Sequence, residues 1–278
     1  MNRNAILHFT LMAAGLIGFG CQKQGAGYES SPFRIIATDT GFQAPNTMSA
    51  GLRHVVMENR GSMIHEAMLV KLPKGMTPDD YVAAVRKGSL FPEGATDYSG
   101  PGLTSPGNSA EMWLKVDPGQ YIIICWNGNH ASSIPVHAFN VEDSGAADDQ
   151  VPKEDVIVKL IDYRFEVAGD LRKGEQVIRV ETPGPSMHEM DIYRLHEGRT
   201  VADLREWRKK DEADMQGPAE ALGGALDSHD ISHVVWLRKN FTPGHYVLHC
   251  EMPVTNAPPD SKMKHDDLGM VREFEIED

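Results

Sequence analysis

The chain is a tandem duplication, and that constrains its fold more than any other feature. Phe42, Gly51, His65, Leu72, Gly75 and Thr77 recur as Phe165, Gly174, His188, Leu195, Gly198 and Thr200, each 123 positions later. Pro118-Gly119-Gln120-Tyr121-Ile122-Ile123-Ile124-Cys125 is answered by Pro243-Gly244-His245-Tyr246-Val247-Leu248-His249-Cys250 at an offset of 125. His130 and Phe139 are answered by His265 and Phe274 at 135. The offset grows only where loops lengthen. The 278 residues therefore hold two copies of one unit, each of ordinary domain length.

Each copy reads mostly as strand. Arg53–Glu58 and Glu175–Val180 are β-type segments that follow a glycine turn, and Tyr121–Cys125 and Tyr246–Cys250 are apolar runs launched by Pro-Gly. Each copy also carries a helical insert. Thr77-Pro78-Asp79-Asp80 combines an N-cap, a proline at the first helical position and acidic residues in the first turn. Thr200-Val201-Ala202-Asp203 opens its counterpart, which should run to about Lys210. Short strands with one insertion per unit suggest an all-β sandwich fold. The copies span residues 31–143 and 153–278, joined by a linker rich in Asp, Gly and Ala. Trp113 and Trp236 answer each other and are expected to fill the two cores.

Residues 1–20 have the layout of a secretory signal: Arg3, then an apolar run from Ala5 to Phe19. Gly18-Phe19-Gly20-Cys21 resembles the lipobox of bacterial lipoproteins, although Gly18 stands where Leu is usual. That resemblance implies lipidation at Cys21, a tether over 21–30, and an exported protein, periplasmic or at the cell surface, anchored to a membrane. A formal charge of −13 argues against a nucleic-acid partner, because phosphate backbones would be repelled. Cys125 and Cys250 hold the same place in different copies, so a disulfide between them is not expected.

The chemistry sits in the second copy. Taken singly, a strand histidine, a buried cysteine and a methionine are ordinary core residues. His188, Cys250, His265 and Met270 occur together, the last three within 21 residues. A type 1 (blue) copper site needs two imidazoles and a thiolate in a plane, with a weak axial thioether. At these residues the chain resembles the bacterial cupredoxins. Pro-Gly-x-Tyr-x-x-x-Cys250, then His265-Asp-Asp-Leu-Gly-Met270, is similar to their C-terminal half, and His188-Glu189 to their N-terminal ligand motif. The resemblance covers about residues 30–278. It implies two tandem cupredoxin-like Greek-key β-sandwiches, each with a short helical insertion, with copper as cofactor. It further implies one-electron transfer to a redox partner such as a cytochrome or a copper enzyme.

The first copy keeps His65, Cys125 and His130 but has Pro135 where Met270 would fall, which leaves two readings open, a three-ligand centre or a modified site kept for structure. Methionines beside His65 and His188 raise the alternative of copper delivery or storage; packing is the plainer reading. His249-Cys250 resembles copper nitrite reductases, in which such a histidine binds a catalytic copper, yet Tyr193 occupies the place of a further histidine that this metal needs. His-x-His pairs, as used by multicopper oxidases, are absent from the sequence. No catalytic residues are assigned. His229 and His233 read as solvated loop residues.

Overall fold

The computed structural model describes residues 31–128, 130–133, 135–210, 217–229, 233–254 and 261–278. The signal segment, Cys21 and the tether lie outside these. The first half holds β1 (Phe33–Thr38), β2 (Gly41–Gln43), β3 (Thr47–Ser49), β4 (Gly51–Asn59), β5 (Met68–Lys71), β6 (Thr96–Asp97), β7 (Ser109–Val116), β8 (Gly119–Ile124) and β9 (His137–Glu142). The second holds β10 (Val156–Ile161), β11 (Arg164–Ala168), β12 (Gly174–Glu181), β13 (Met190–Leu195), β14 (Ala219–Ala225), β15 (Val234–Phe241), β16 (Gly244–His249) and β17 (Val271–Ile276). Helices α1 (Pro78–Arg86), α2 (His130–Ser133) and α3 (Val201–Arg208) punctuate them. The architecture is all-β, built from packed sheets, as the sequence implies.

The halves share one sheet. Eight strands run in the order β11-β10-β12-β15-β7-β4-β1-β2, which is palindromic once each strand is replaced by its repeat counterpart. Separate four- and five-stranded sheets, β14-β13-β16-β17 and β3-β9-β8-β5-β6, complete the second and first sandwiches. The pseudo-twofold axis falls where β7 pairs antiparallel with β15, with Trp113 opposite Trp236. The indoles therefore do not fill two cores. Strand alternation gives the inward positions to Met112, Leu114, Val235 and Leu237 and turns both tryptophans to the other face. There Trp113 stacks on His54 at 4.3 Å, and the Arg238 guanidinium lies 5.0 Å from its ring centroid.

The capping signals hold. Thr77 and Thr200 each accept from the backbone of the aspartate three residues on, and each aspartate returns the bond. Helix α3 ends at Arg208, two residues before the expected stop. Each helix covers a satellite core to which the opposite half contributes. Leu226 packs with Met68, Tyr81 and Ile122 of the first half, and Leu103 packs with Tyr193, Leu204 and Trp207 of the second. Leu103 and Leu226 are 123 positions apart, so the exchange is symmetric. Among the described residues no helix is long and apolar enough to cross a membrane.

Because the halves share a sheet and exchange core leucines, they should unfold together. Leu103→Ala and Leu226→Ala are each expected to cost ~2–5 kcal/mol. In denaturant titrations followed by tryptophan fluorescence, both should shift a single transition rather than split it.

Candidate metal centres

The second-half site forms where three chain segments meet. Cys250 follows the end of β16, His265 opens a 3-10 turn at His265–Leu268, and His188 lies just before β13. His188, Cys250 and His265 each bring a donor atom to within 4.8 Å of the other two, and all three side chains are buried. His188 Nδ1 lies 3.0 Å from His265 Nδ1, and Cys250 Sγ lies 3.5 Å from the same nitrogen. Met270 is fully buried in the core that holds Cys250. Its carbonyl accepts from Cys250 N–H at 3.2 Å, and its own N–H donates to the His265 carbonyl at 3.0 Å.

His65, Cys125 and His130 make the corresponding group in the first half, again within 4.8 Å and buried. Cys125 Sγ is 3.3 Å from His130 Nδ1, and the rings of His65 and His130 are 4.9 Å apart. His130 opens α2 as His265 opens its turn. Pro135 is exposed. Both cysteines are free.

Two orienting residues escaped the sequence reading. Asp39, in the β1–β2 turn, accepts from His65 Nε2 at 3.0 Å, and Asp162, in the β10–β11 turn, accepts from His188 Nε2 at 2.9 Å. They too are 123 positions apart, so the repeat register carried the signal. Burial alone would raise the Asp39 carboxyl, but hydrogen bonds from Ser62, His65 and Met63 hold it well below the usual carboxylate range. Asp162 is lowered in the same way, against burial, by His188 and Ser186. An ionised carboxylate only accepts, so each histidine carries its proton on Nε2 and turns the Nδ1 lone pair inward. Gly61 leaves room for the first contact; a Cβ there would meet Asp39 and lie 2.9 Å from His65 Nε2.

Both groups fit a soft cation. His65 Nδ1 is buried without a hydrogen-bond partner, and lone pairs converging in an enclosed space repel unless an ion or proton lies between them. The inventory of two imidazoles and a thiol suits copper. Burial pushes both thiols up and lowers His130 and His265, each to about 4, so the imidazoles stay neutral at ordinary pH. A metal would take the place of the thiol proton.

A glutamate follows the first histidine of each group. Glu66 Oε1 accepts from Trp126 N–H at 2.7 Å, and Glu189 Oε1 accepts from Glu251 N–H at 2.8 Å. Each glutamate thus ties its histidine segment to its cysteine segment. Arg208, at the end of α3, donates to both Glu251 oxygens at 2.7 and 3.0 Å and to Asn127 Oδ1 at 2.9 Å. One guanidinium therefore joins the loops after both cysteines. Its counterpart in the first half is Val85.

His249 faces away from Cys250, as strand alternation requires. Its Nε2 is 3.3 Å from Asp266 Oδ2 and its Nδ1 is 3.5 Å from Glu251 Oε1. Tyr193 lies alongside, with ring centroids 6.0 Å apart. His229 Nδ1 accepts from Asp97 N–H at 2.9 Å. Met68 and Met190 are buried in cores, which bears out packing for these two.

No family model and no curated protein matches the chain. Solved structures similar to it include reduced auracyanin from Roseiflexus castenholzii, at 18% identity over 41% of this chain and 98% of that one, TM-score 0.28. A multicopper oxidase is similar at 13% identity over 88% of each chain, TM-score 0.27. The blue copper oxidase of Nitrosomonas europaea is similar at 15% over 88% of this chain and 85% of that one, TM-score 0.26. Likeness at this level adds nothing to what the strand order and the site distances establish.

Burial first, then the neighbouring Glu189, raises the Glu66 carboxyl to about 8 from an ordinary 4.5. A raised carboxyl favours the fold below its unfolded value and loses that contribution as pH rises through the folded one. Metal-free protein should therefore lose stability between those two values, and Glu66→Gln should flatten the fall, as measured by thermal melts across that window.

Proposed function

We propose that the protein is an exported type 1 copper protein that carries single electrons between redox partners, tethered to a membrane through Cys21. The observation that supports this most directly is the pair of buried His–Cys–His groups whose Nδ1 atoms are aimed inward by Asp39 and Asp162. In the second half His188, Cys250 and His265, together with Met270, would hold the ion. In the first half His65, Cys125 and His130 would hold a second ion without the thioether. Copper supplies a one-electron couple and a strong thiolate-to-metal absorption band.

The protein's own part is to hold the donors still. Asp39 and Asp162 fix ring orientation, and Glu66 and Glu189 lock the segments that carry the ligands. Burial excludes water, and a cage that cannot relax keeps the rearrangement on electron gain or loss small. The partner is a redox protein such as a cytochrome or copper enzyme. A nitrite reductase-like role is less favoured, because the His249 imidazole is flanked by Asp266 and Glu251 and has Tyr193 beside it. Storage by methionines is less favoured too, since Met68 and Met190 pack cores.

Copper-loaded protein should be intensely coloured and should bleach reversibly with a mild reductant. Cys250→Ser is expected to remove most of the visible band and Cys125→Ser the remainder, with metal analysis falling in step. A colourless loaded protein that keeps copper only in its reduced form would overturn electron transfer in favour of storage.

A further inference from the structure

A cavity of ≈ 280 Å³ lies between the two candidate metal centres. Its wall carries six carboxyl groups (Glu66, Asp97, Glu189, Asp191, Asp227 and Glu251) and three basic side chains, Arg208, Lys210 and Lys264. Arg208 and Lys264 are both engaged by Glu251, Lys264 at 3.0 Å. The other acids take single contacts. Asp191 Oδ1 accepts from Leu103 N–H at 3.1 Å, and Glu66 and Glu189 accept the backbone bonds described above. Asp227 departs from this pattern: it is 6% exposed, and its Oδ2 is buried without any hydrogen-bond partner.

The duplication does not account for this acidity. Counting back 123 positions from Asp191 and Asp227 gives Met68 and Thr104, and the Thr104 hydroxyl is satisfied by the Gly102 carbonyl at 2.8 Å. The second copy thus buries a carboxylate oxygen with no donor where the first has a contented threonine. Burying such a group costs free energy unless something compensates it. Burial and the nearby Asp97 push the Asp227 carboxyl well up, so it holds its proton until an arriving cation favours the ionised form.

The kind of cation follows from the geometry. Among the described residues only the two His–Cys–His groups bring three metal-type donors within 4.8 Å of one another. The cavity acids are spread too widely for an ion that needs them all at bonding distance. An ammonium needs one acceptor for each N–H, and those acceptors can stand apart. Apart from Asn127, the rest of the wall is mainly apolar, with Trp126, Leu226 and Met252, and includes two exposed residues, Leu90 and Phe91, at 52% and 38% exposure. The volume sits at the small end of ligand pockets.

We propose that this cavity binds a small organic amine as its ammonium ion, with the charge held at Asp227 and Asp191 and an apolar body against Phe91 and Trp126. The proposal is independent of copper. Its test is calorimetric titration of the full chain, with and without copper, using phenethylamine as probe and phenethyl alcohol as its neutral counterpart. Phenethylamine should bind one to a chain, at least tenfold more tightly than the alcohol. Asp227→Asn should weaken it at least tenfold while leaving the melting temperature undiminished and the visible band unchanged. Phe91→Ala, at an exposed position that does not threaten folding, should weaken it several-fold. Equal binding of amine and alcohol, amine binding unaffected by Asp227→Asn, or Mn²⁺ excluding the amine in an Asp227-dependent way would each overturn the proposal. None of these outcomes bears on the colour test of Cys125 and Cys250.

Discussion

The antiparallel pairing of β7 with β15 is the contact on which the rest of the molecule depends. It turns two sandwiches into one body by running a single sheet through both, with Trp113 and Trp236 at its centre. Leu103 and Leu226 then cross the seam in opposite directions, so neither satellite core is complete without the other half. Both cysteine loops are thereby brought to the same interior region, where one arginine reaches Glu251 and Asn127. Remove the strand pair, and the bridge and the carboxylate-lined cavity lose their walls.

Much of this was legible in the sequence because duplication prints every constraint twice. The register that aligned His65 with His188 also identified the strands and the capped helices. The donor atoms of His188, Cys250 and His265 meet as their spacing implied. Asp39 and Asp162 were missed although they obey the same register, because an aspartate in a turn reads as turn chemistry until a histidine is seen pointing at it. Trp113 and Trp236 answer each other in the repeat and so read as matching core residues, whereas strand alternation puts both on the opposite face, where they pair across the strands. The Arg208 bridge was hidden for a different reason. It belongs to one copy only, and its partners lie 43 and 81 positions away, so no local pattern announces it.

The interior between the sites gathers several titratable side chains. Glu66, Glu189 and Asp97 are pushed up to about 8, 7 and 7, whereas Glu251, facing Arg208, His249 and Lys264, is held at about 2 despite its burial. Four carboxyls in one neighbourhood thus differ by several pH units according to whether a cation touches them. Buried ion pairs are weak contributors to stability on their own, and their best-supported service is to specify one arrangement among several. Here that arrangement is the relative placement of two cysteine loops.

The aspartates in the β1–β2 and β10–β11 turns aim the histidines through contacts made by folding alone. Neither ring waits for a guest to learn its orientation. A receptacle finished in advance can be charged at any time after the chain has folded. Uptake then becomes a matter of access rather than assembly.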